Sequence, residues 1–265
     1  MKVDVIICTK NRPHLLRKAV QQARNSVPTN NVIVVDSTPN PNMNLLNSLN
    51  VKLVFTPDVK IGYARQRGLM EATTKYVVFL DDDLELERNW FDPLFKELCS
   101  DEKVVAVSPK IVYGYKTDPV LRKLFGGKYS TSKHGGSAGA AIMDRTKVLA
   151  IGGYNKNMHW GEDGELFMRI EKHGLKWLRI RAFTAHHPCT FKQHLQKALR
   201  NGAGMASIWK AGSDLPLFPW MVKMARRFLV APIILTFARR EPRILVYHSL
   251  YHLLYLLSFL IELNK

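Results

Sequence analysis

Residues 76–80, Tyr-Val-Val-Phe-Leu, run directly into Asp81, Asp82 and Asp83. Five consecutive apolar or aromatic residues rich in β-branched types fit a buried strand, and a core cannot hold three adjacent acids. The acids therefore fall just past the strand's carboxyl end. Ligands bind at that place in an open α/β sheet, and clustered carboxylates there suit a hard divalent cation carrying phosphates. The competing reading is a solvated acidic turn ahead of the next helix. It suits a lone Asp pair better than a triplet leaving a buried strand.

The residues before this stretch alternate between strand and helix patterns. Residues 3–8 read as a strand, Thr9-Lys10-Asn11-Arg12-Pro13 as a polar turn with Pro near a helix start, and residues 14–25 as a helix through Leu15, Leu16, Ala19, Val20 and Ala23. Residues 31–36 form a second apolar run ending in Asp36; 37–42 are a turn, 51–55 a third strand and 62–72 a short helix. Short polar connections between such units imply parallel pairing, which gathers Thr9, Asp36 and Asp81 to Asp83 along one nucleotide-sized edge. Asp36 reads equally well as a strand-end turn residue. No GxxxxGKS/T loop is present and no GxGxxG follows the first strand, which removes most support for ordinary ATPases and nicotinamide enzymes. A cation on the Asp81 to Asp83 cluster, helped by Arg65 and Arg67, is the alternative phosphate holder.

At 265 residues and 46% hydrophobic content, the chain can build one large α/β domain with an appendage. Its net charge of +17 implies an anionic partner without choosing among nucleic acid, phosphorylated substrate and acidic membrane. Cys8, Cys99 and Cys189 are odd in number and widely spaced, so a reducing cytosol is expected and neither a disulfide framework nor a zinc knuckle. Residues 1–8 carry no basic-then-apolar signal pattern.

Further on, residues 89–98 read as a helix and 104–107 as a strand, while 111–133 remain unassigned. The small residues at 135–141 feed a strand and would let a ligand approach the backbone closely. A second chemical cluster lies at Trp160-Gly161-Glu162-Asp163. Helical spacing of Leu166, Phe167 and Ile170 puts Glu162 and Asp163 at a helix N-terminus, where carboxylates also serve as plain caps. Beside Trp160, a carboxylate could be tuned as a general base. Residues 176–180 read as a strand, after which His186 and His187 stand adjacent, so at most one of them ligates a shared metal.

The ordered set Thr9-Lys10-Asn11-Arg12, Asp36, Gly62-Tyr63-Ala64-Arg65, Asp81-Asp82-Asp83, Gly152-Gly153-Tyr154 and Gly161-Glu162-Asp163 with Arg169 resembles glycosyltransferase family 2 over roughly residues 1–190. The resemblance implies the GT-A fold, a Rossmann-like mixed α/β sheet flanked by helices. It also implies a nucleotide-diphosphate sugar donor, a divalent cation (Mg2+ or Mn2+) and inversion at the anomeric carbon. By the same resemblance, the Thr9, Asn11, Arg12 turn and Asp36 hold the base. Asp81 and Asp82 hold the ribose, Asp83 and Asp81 the metal, and Asp163 deprotonates the acceptor hydroxyl. Glu162 hydrogen-bonds the acceptor or caps its helix, and His186, chosen over His187 by spacing, touches the metal or diphosphate. Gln66 and Asn155 depart from the family pattern, which commonly has Asn and Asp there.

Residues 191–265 hold 11 Lys or Arg against 3 Asp or Glu, a net +8. Residues 191–210 read as a basic helix, and two strongly apolar segments follow at 220–237 and 244–263. The first, interrupted by Lys223, Arg226, Arg227 and Pro232, suits an interfacial helix. The second has the length of a span, but His248, Tyr251, His252, Tyr255 and Glu262 form a polar stripe that suits the interface or a partner helix. Two core helices packed on the catalytic domain or on a dimer mate are the alternative. The expected domains are 1–212, catalytic, and 213–265, helical and membrane-associating. The favoured function is a cytoplasmic, membrane-associated inverting glycosyltransferase whose acceptor is a glycan or is lipid-linked, with no nucleic acid partner and with oligomers forming through the C-terminal helices. Against it stands a non-enzymatic nucleic-acid or anion-binding protein, which leaves Asp81 to Asp83 unexplained because acids repel phosphate unless a cation intervenes.

Overall fold

A computed structural model of the chain describes residues 1–57, 60–113, 117–125, 137–187, 189–212, 222 and 224–265, the side chains of 111–113, 125 and 181–187 excepted. The strands are β1 (Val3–Thr9), β2 (Thr29–Asp36), β3 (Lys52–Phe55), β4 (Tyr76–Leu80), β5 (Glu85–Leu86), β6 (Val104–Tyr113), β7 (Ala140–Asp144) and β8 (Lys176–His187). They form one sheet in the order β3-β2-β1-β4-β7-β6-β8-β5. The first four strands pair in parallel, whereas β7 runs antiparallel to both β4 and β6. The sheet is therefore mixed, as expected for the GT-A class.

The helices of the sheet unit are α1 (Pro13–Ser26), α2 (Met43–Ser48), α3 (Ile61–Glu71), α4 (Phe91–Leu98), α6 (Arg145–Ala150) and α7 (Glu162–Lys172); α5 (Pro119–Phe125) lies outside that unit. Strand side chains alternate between two cores. Val3, Val5 and Ile7, with Val32, Val34, Val78 and Leu80, pack with Leu16, Ala19, Val20 and Ala23 of α1 and Phe91, Leu94 and Leu98 of α4. Ile6, Ile33, Val35, Val77 and Phe79 join Ala64 and Leu69 of α3 and Leu166 and Ile170 of α7. Burial on both faces is why these strands read as unbroken apolar runs.

The chain divides into two compact units, residues 1–111 with 132–186, and residues 112–131 with 187–265. The expected boundary at 212 falls elsewhere because α8 (Phe191–Lys210) belongs with the tail helices. The second unit also contains a π-helical turn (Arg226–Val230), α9 (Ala231–Arg239) and α10 (Arg243–Leu263). The polar stripe of α10 is turned toward α8. Tyr247 stacks on Phe191 at 3.9 Å and Tyr251 on His194 at 4.5 Å, and the Tyr251 hydroxyl accepts from Asn201 Nδ2 at 2.7 Å. At the crossing, a Cβ on Gly202 would lie 2.1 Å from the Tyr255 carbonyl oxygen, so only glycine permits this approach. The opposite side of α10, including Val246, Leu253, Leu257, Leu260 and Ile261, is exposed. The stripe is thus a seam within the chain, and the apolar face is the outer one.

Candidate active site

The parallel register sets Thr9 of β1 beside Asp36 of β2, and β4 ends one residue before Asp81. After Thr9 the backbone turns through Asn11, whose φ is 56°, and α1 begins at Pro13. The Asn11 N–H donates to Thr38 Oγ1 at 2.8 Å, and the Thr38 N–H donates to Asp36 Oδ1 at 2.8 Å, stitching the β1 and β2 turns together. Between these turns lies a cavity of about 270 Å³ whose wall includes Thr9, Asn11, Arg12, Asp36, Thr38 and Asn42. Its far side is α2, a helix absent from the sequence expectation. Asn42 caps α2 by accepting from the Leu45 N–H at 3.0 Å, a signal that six helical residues were too few to reveal by periodicity. A larger groove of about 600 Å³, between α1 and the connection after β5, shares none of these residues.

The three aspartates are held differently. Asp82 is buried with both oxygens engaged: Thr9 Oγ1 donates to Oδ2 at 2.7 Å and Arg12 Nη1 to Oδ1 at 3.0 Å. Asp83 receives Arg12 Nη1 at 3.1 Å, and Asp81 receives Arg65 Nη2 at 3.1 Å. The Asp81 and Asp83 side chains are 39% and 27% exposed, against 4% for Asp82. The outer two acids are the accessible pair, and the middle one anchors the loop. Gly139, ahead of β7, makes room for this arrangement: a Cβ there would lie 2.8 Å from Asp81 Oδ2. The run of small residues thus brings backbone against a carboxylate.

Arg65 is buried in α3 and reaches both chemical clusters. Its Nη2 meets Asp81, while Nη1 meets Glu162 at 2.7 Å and also Asp163. Its guanidinium carbon lies 5.8 Å from the ring centre of buried Tyr154. The expected phosphate-holding role of Arg65 thus meets a guanidinium committed to three carboxylates. Arg67 instead pairs with Glu71 on α3 at 3.1 Å, away from the aspartates. Asp163 Oδ2 accepts the Ala138 N–H at 3.0 Å. Helix α7 has Gly161 at its cap position with no side-chain capping bond, so Glu162 is not the cap that its place suggested. It is buried against Arg65, and Asp163 is the more exposed of the two.

Charge crowding marks the site. Partial desolvation at this edge pushes the Asp81 carboxyl up to about 6, with Arg65 opposing the rise and Asp83, Asp163 and Asp82 adding to it. Burial also raises Glu162, against Arg65 and with help from Asp163. Desolvation leads in both cases, and the neighbouring carboxylates that share the Arg65 guanidinium add to it. Among the described residues no three His, Cys, Asp or Glu side chains converge as a complete metal cage. Asp81 and Asp83 nevertheless fit Mg2+ or Mn2+, because such cations bind through one or two carboxylates and take further oxygens from substrate phosphates. The His186 side chain lies outside the described residues; its backbone pairs with Glu85, two positions past Asp83.

Residues without an assigned role in the sequence reading support this edge. Gln66, at a position departing from the family pattern, accepts the Tyr154 N–H at 2.7 Å and so fixes the ring beside Arg65. Arg169 donates from Nη1 to the Ile151 carbonyl at 2.6 Å and from Nη2 to the Gly153 carbonyl, joining α7 to the same turn.

Comparison with known proteins agrees with this architecture. The glycosyl transferase family 2 model matches residues 4–158. The pre-mycofactocin glycosyltransferase of Mycobacterium tuberculosis is 28% identical over 199 residues, covering 66% of this chain and 40% of the relative, so the chain spans two fifths of that protein's length. The mannosyltransferase PcManGT from Pyrobaculum calidifontis, solved with GDP-Man and Mn2+, superposes with a TM-score of 0.70 at 15% identity, over 98% of this chain and 87% of its own. Glucosyl-3-phosphoglycerate synthase from Mycobacterium tuberculosis, solved with phosphoglyceric acid, gives 0.56 at 16% identity over 79% of each chain. These structures share the GT-A fold with this protein. With the family model matched over more than half of its residues, the chain belongs to glycosyl transferase family 2.

Proposed function

We propose that the protein transfers a sugar from a nucleoside-diphosphate donor to an acceptor hydroxyl, with inversion and with a divalent cation. The observation that carries this reading is the Arg65 bridge, which joins a strand-end carboxylate suited to cation and diphosphate, Asp81, to the carboxylates of α7. In this reading the cavity beside Asp36 takes the nucleoside, and Asp81 and Asp83 hold the cation. When bound, the cation offsets charge developing on the leaving diphosphate. Asp163, oriented by the Ala138 N–H and Arg65, takes the proton of the acceptor hydroxyl as its oxygen bonds to the anomeric carbon and the bond to the diphosphate breaks. Inversion is supported by the site's offer of one accessible carboxylate on α7, sufficient for a single displacement.

Thermal-shift screening of nucleoside diphosphates and their sugars, with and without Mn2+ or Mg2+, tests the donor half. A cation-dependent rise in Tm is expected with one base. Asp83→Ala is expected to abolish it while the fold survives, because Asp83 lies outside the core. Retained cation-dependent binding in that variant removes the metal assignment.

We also propose that the second unit seats the chain on an anionic membrane from the cytoplasmic side, where lipid-linked acceptors reside. Support comes from exposed Ile233, Ile234 and Phe237 on α9, the neighbouring arginines 226, 227, 239 and 240, and the outer face of α10. Among the described residues α10 alone is long and apolar enough to cross a membrane. The full chain should co-sediment with phosphatidylglycerol vesicles, less at high salt, and an Ile234→Glu, Phe237→Glu variant should stay in solution. Equal sedimentation of the two proteins overturns this assignment, and a dimer that the variant dissociates moves the face to a second copy.

A further inference from the structure

Arg12 stands where the cation reading needs open carboxylate. Its Nη1 alone carries both bonds, 3.0 Å to Asp82 Oδ1 and 3.1 Å to Asp83 Oδ2. The side chain is 41% exposed, whereas Asp82 is nearly closed off and is also held by Thr9. Of the two bonds, the one to Asp83 is the more open, and Asp83 is one of the two accessible acids. Arg12 also follows the turn that lines the cavity beside Asp36. One guanidinium therefore borders both the cation's place and the nucleotide's place.

We propose that Arg12 is an exchangeable counter-ion that couples cation binding to nucleotide binding. In the nucleotide-free protein it neutralises Asp83 and competes with a divalent cation for that carboxylate. A cation arriving alone must displace Arg12 from Asp83 and leave it with Asp82 as its one carboxylate partner, so it binds weakly. A nucleoside diphosphate supplies that anion. Arg12 then leaves Asp83 while its Asp82 bond keeps it tethered, and it turns its free nitrogens to the phosphate oxygens. The exchange makes the two ligands bind with positive coupling, and that coupling is reciprocal. The inference rests on the reading of Asp81 and Asp83 given above. It adds that Arg12 acts with opposite sign on the two ligands, where a purely structural side chain would act on both alike.

The test measures binding without turnover. Mn2+ alone is titrated into the full chain and followed by the electron paramagnetic resonance of free Mn2+; UDP and GDP are then titrated calorimetrically at saturating Mn2+. Arg12→Gln should bind Mn2+ alone about tenfold more tightly than the unmodified protein and bind the preferred diphosphate about tenfold more weakly, on the order of one charge-assisted contact each way. Arg12→Lys, which keeps the charge, should return both constants most of the way. Equal or weaker Mn2+ binding by Arg12→Gln overturns the exchange, and weakening of both ligands reduces Arg12 to a structural prop. If the unmodified protein binds neither diphosphate with Mn2+, the reading of the site itself fails and the exchange with it.

Discussion

The two ends of the central strands treat buried carboxylates in opposite ways. At the amino end Asp4 is fully buried, yet its oxygens accept from Asn30 Nδ2 at 3.0 Å and from the N–H groups of Asn31 at 3.1 Å, Thr73 at 2.7 Å and Thr74 at 3.1 Å. Burial alone would raise this carboxyl, but the bonds from Thr73, Asn30, Thr74 and Asn31 outweigh it and hold the group below the ordinary value. At the carboxyl end Asp81, Asp82, Asp83, Glu162 and Asp163 share two guanidiniums, Arg12 and Arg65. There the Asp81, Asp82 and Glu162 carboxyls are all raised. A carboxylate satisfied by neutral donors on two chain segments is a structural tie. A crowd of carboxylates short of positive charge is a place prepared for a cation and a proton.

The largest effect expected at the crowded end is on turnover. Asp163→Asn keeps shape and polarity but cannot take a proton, so transfer should fall about 10²- to 10⁴-fold with donor affinity nearly unchanged. Glu162→Gln should cost less, because the buried, raised Glu162 is already biased toward the neutral form that glutamine mimics. Steady-state rates and donor titrations on both variants decide this. Normal turnover by Asp163→Asn with an inactive Glu162→Gln would move the base by one residue.

The satisfied end should respond in stability. Asp4→Ala strands several buried donors and should cost about 3 kcal/mol in denaturant unfolding, with the turnover of the remaining folded enzyme unchanged. Because the folded pKa of Asp4 is depressed, its stabilisation is present above the unfolded value of 3.8 and is lost as pH falls through the folded value. The variant's stability should therefore lack that acid-side slope, and an unaltered slope would remove Asp4 from the account.

The smallest effect has the opposite sign. The folded pKa of Asp81, about 6, lies above its ordinary 3.8, so the folded state holds more protons between these values and stability declines as pH rises across that window. Asp81→Asn should raise Tm slightly near neutral pH without cation, and the gain should vanish near about pH 4. A lower Tm at neutral pH would show that the Arg65 contact outweighs the crowding.

Much of this could be read from the chain. The buried runs 3–8, 31–36 and 76–80 and their terminal polar residues determined the parallel strands and the edge that Thr9, Asp36 and Asp81 to Asp83 share, because strand direction and connection length leave few ways to pair them. The helix at 191–210 matches its expected bounds, and the structure adds the reason for its sharp start, a capping box between Thr190 and Gln193. Other features needed the tertiary structure. Six-residue α2 and the two residues of β5 are too short for periodicity to register. The commitment of Arg65 to three carboxylates depends on α3 and α7 packing on the same sheet face, a meeting 97 and 98 positions apart that no local spacing encodes. The same limit applies in the tail: composition determined that α10 has one polar stripe, but only packing decided that α8 covers it and that the apolar face is left outward. Local sequence sets which face of an element is polar, whereas the partner that meets that face is chosen by contacts distant along the chain.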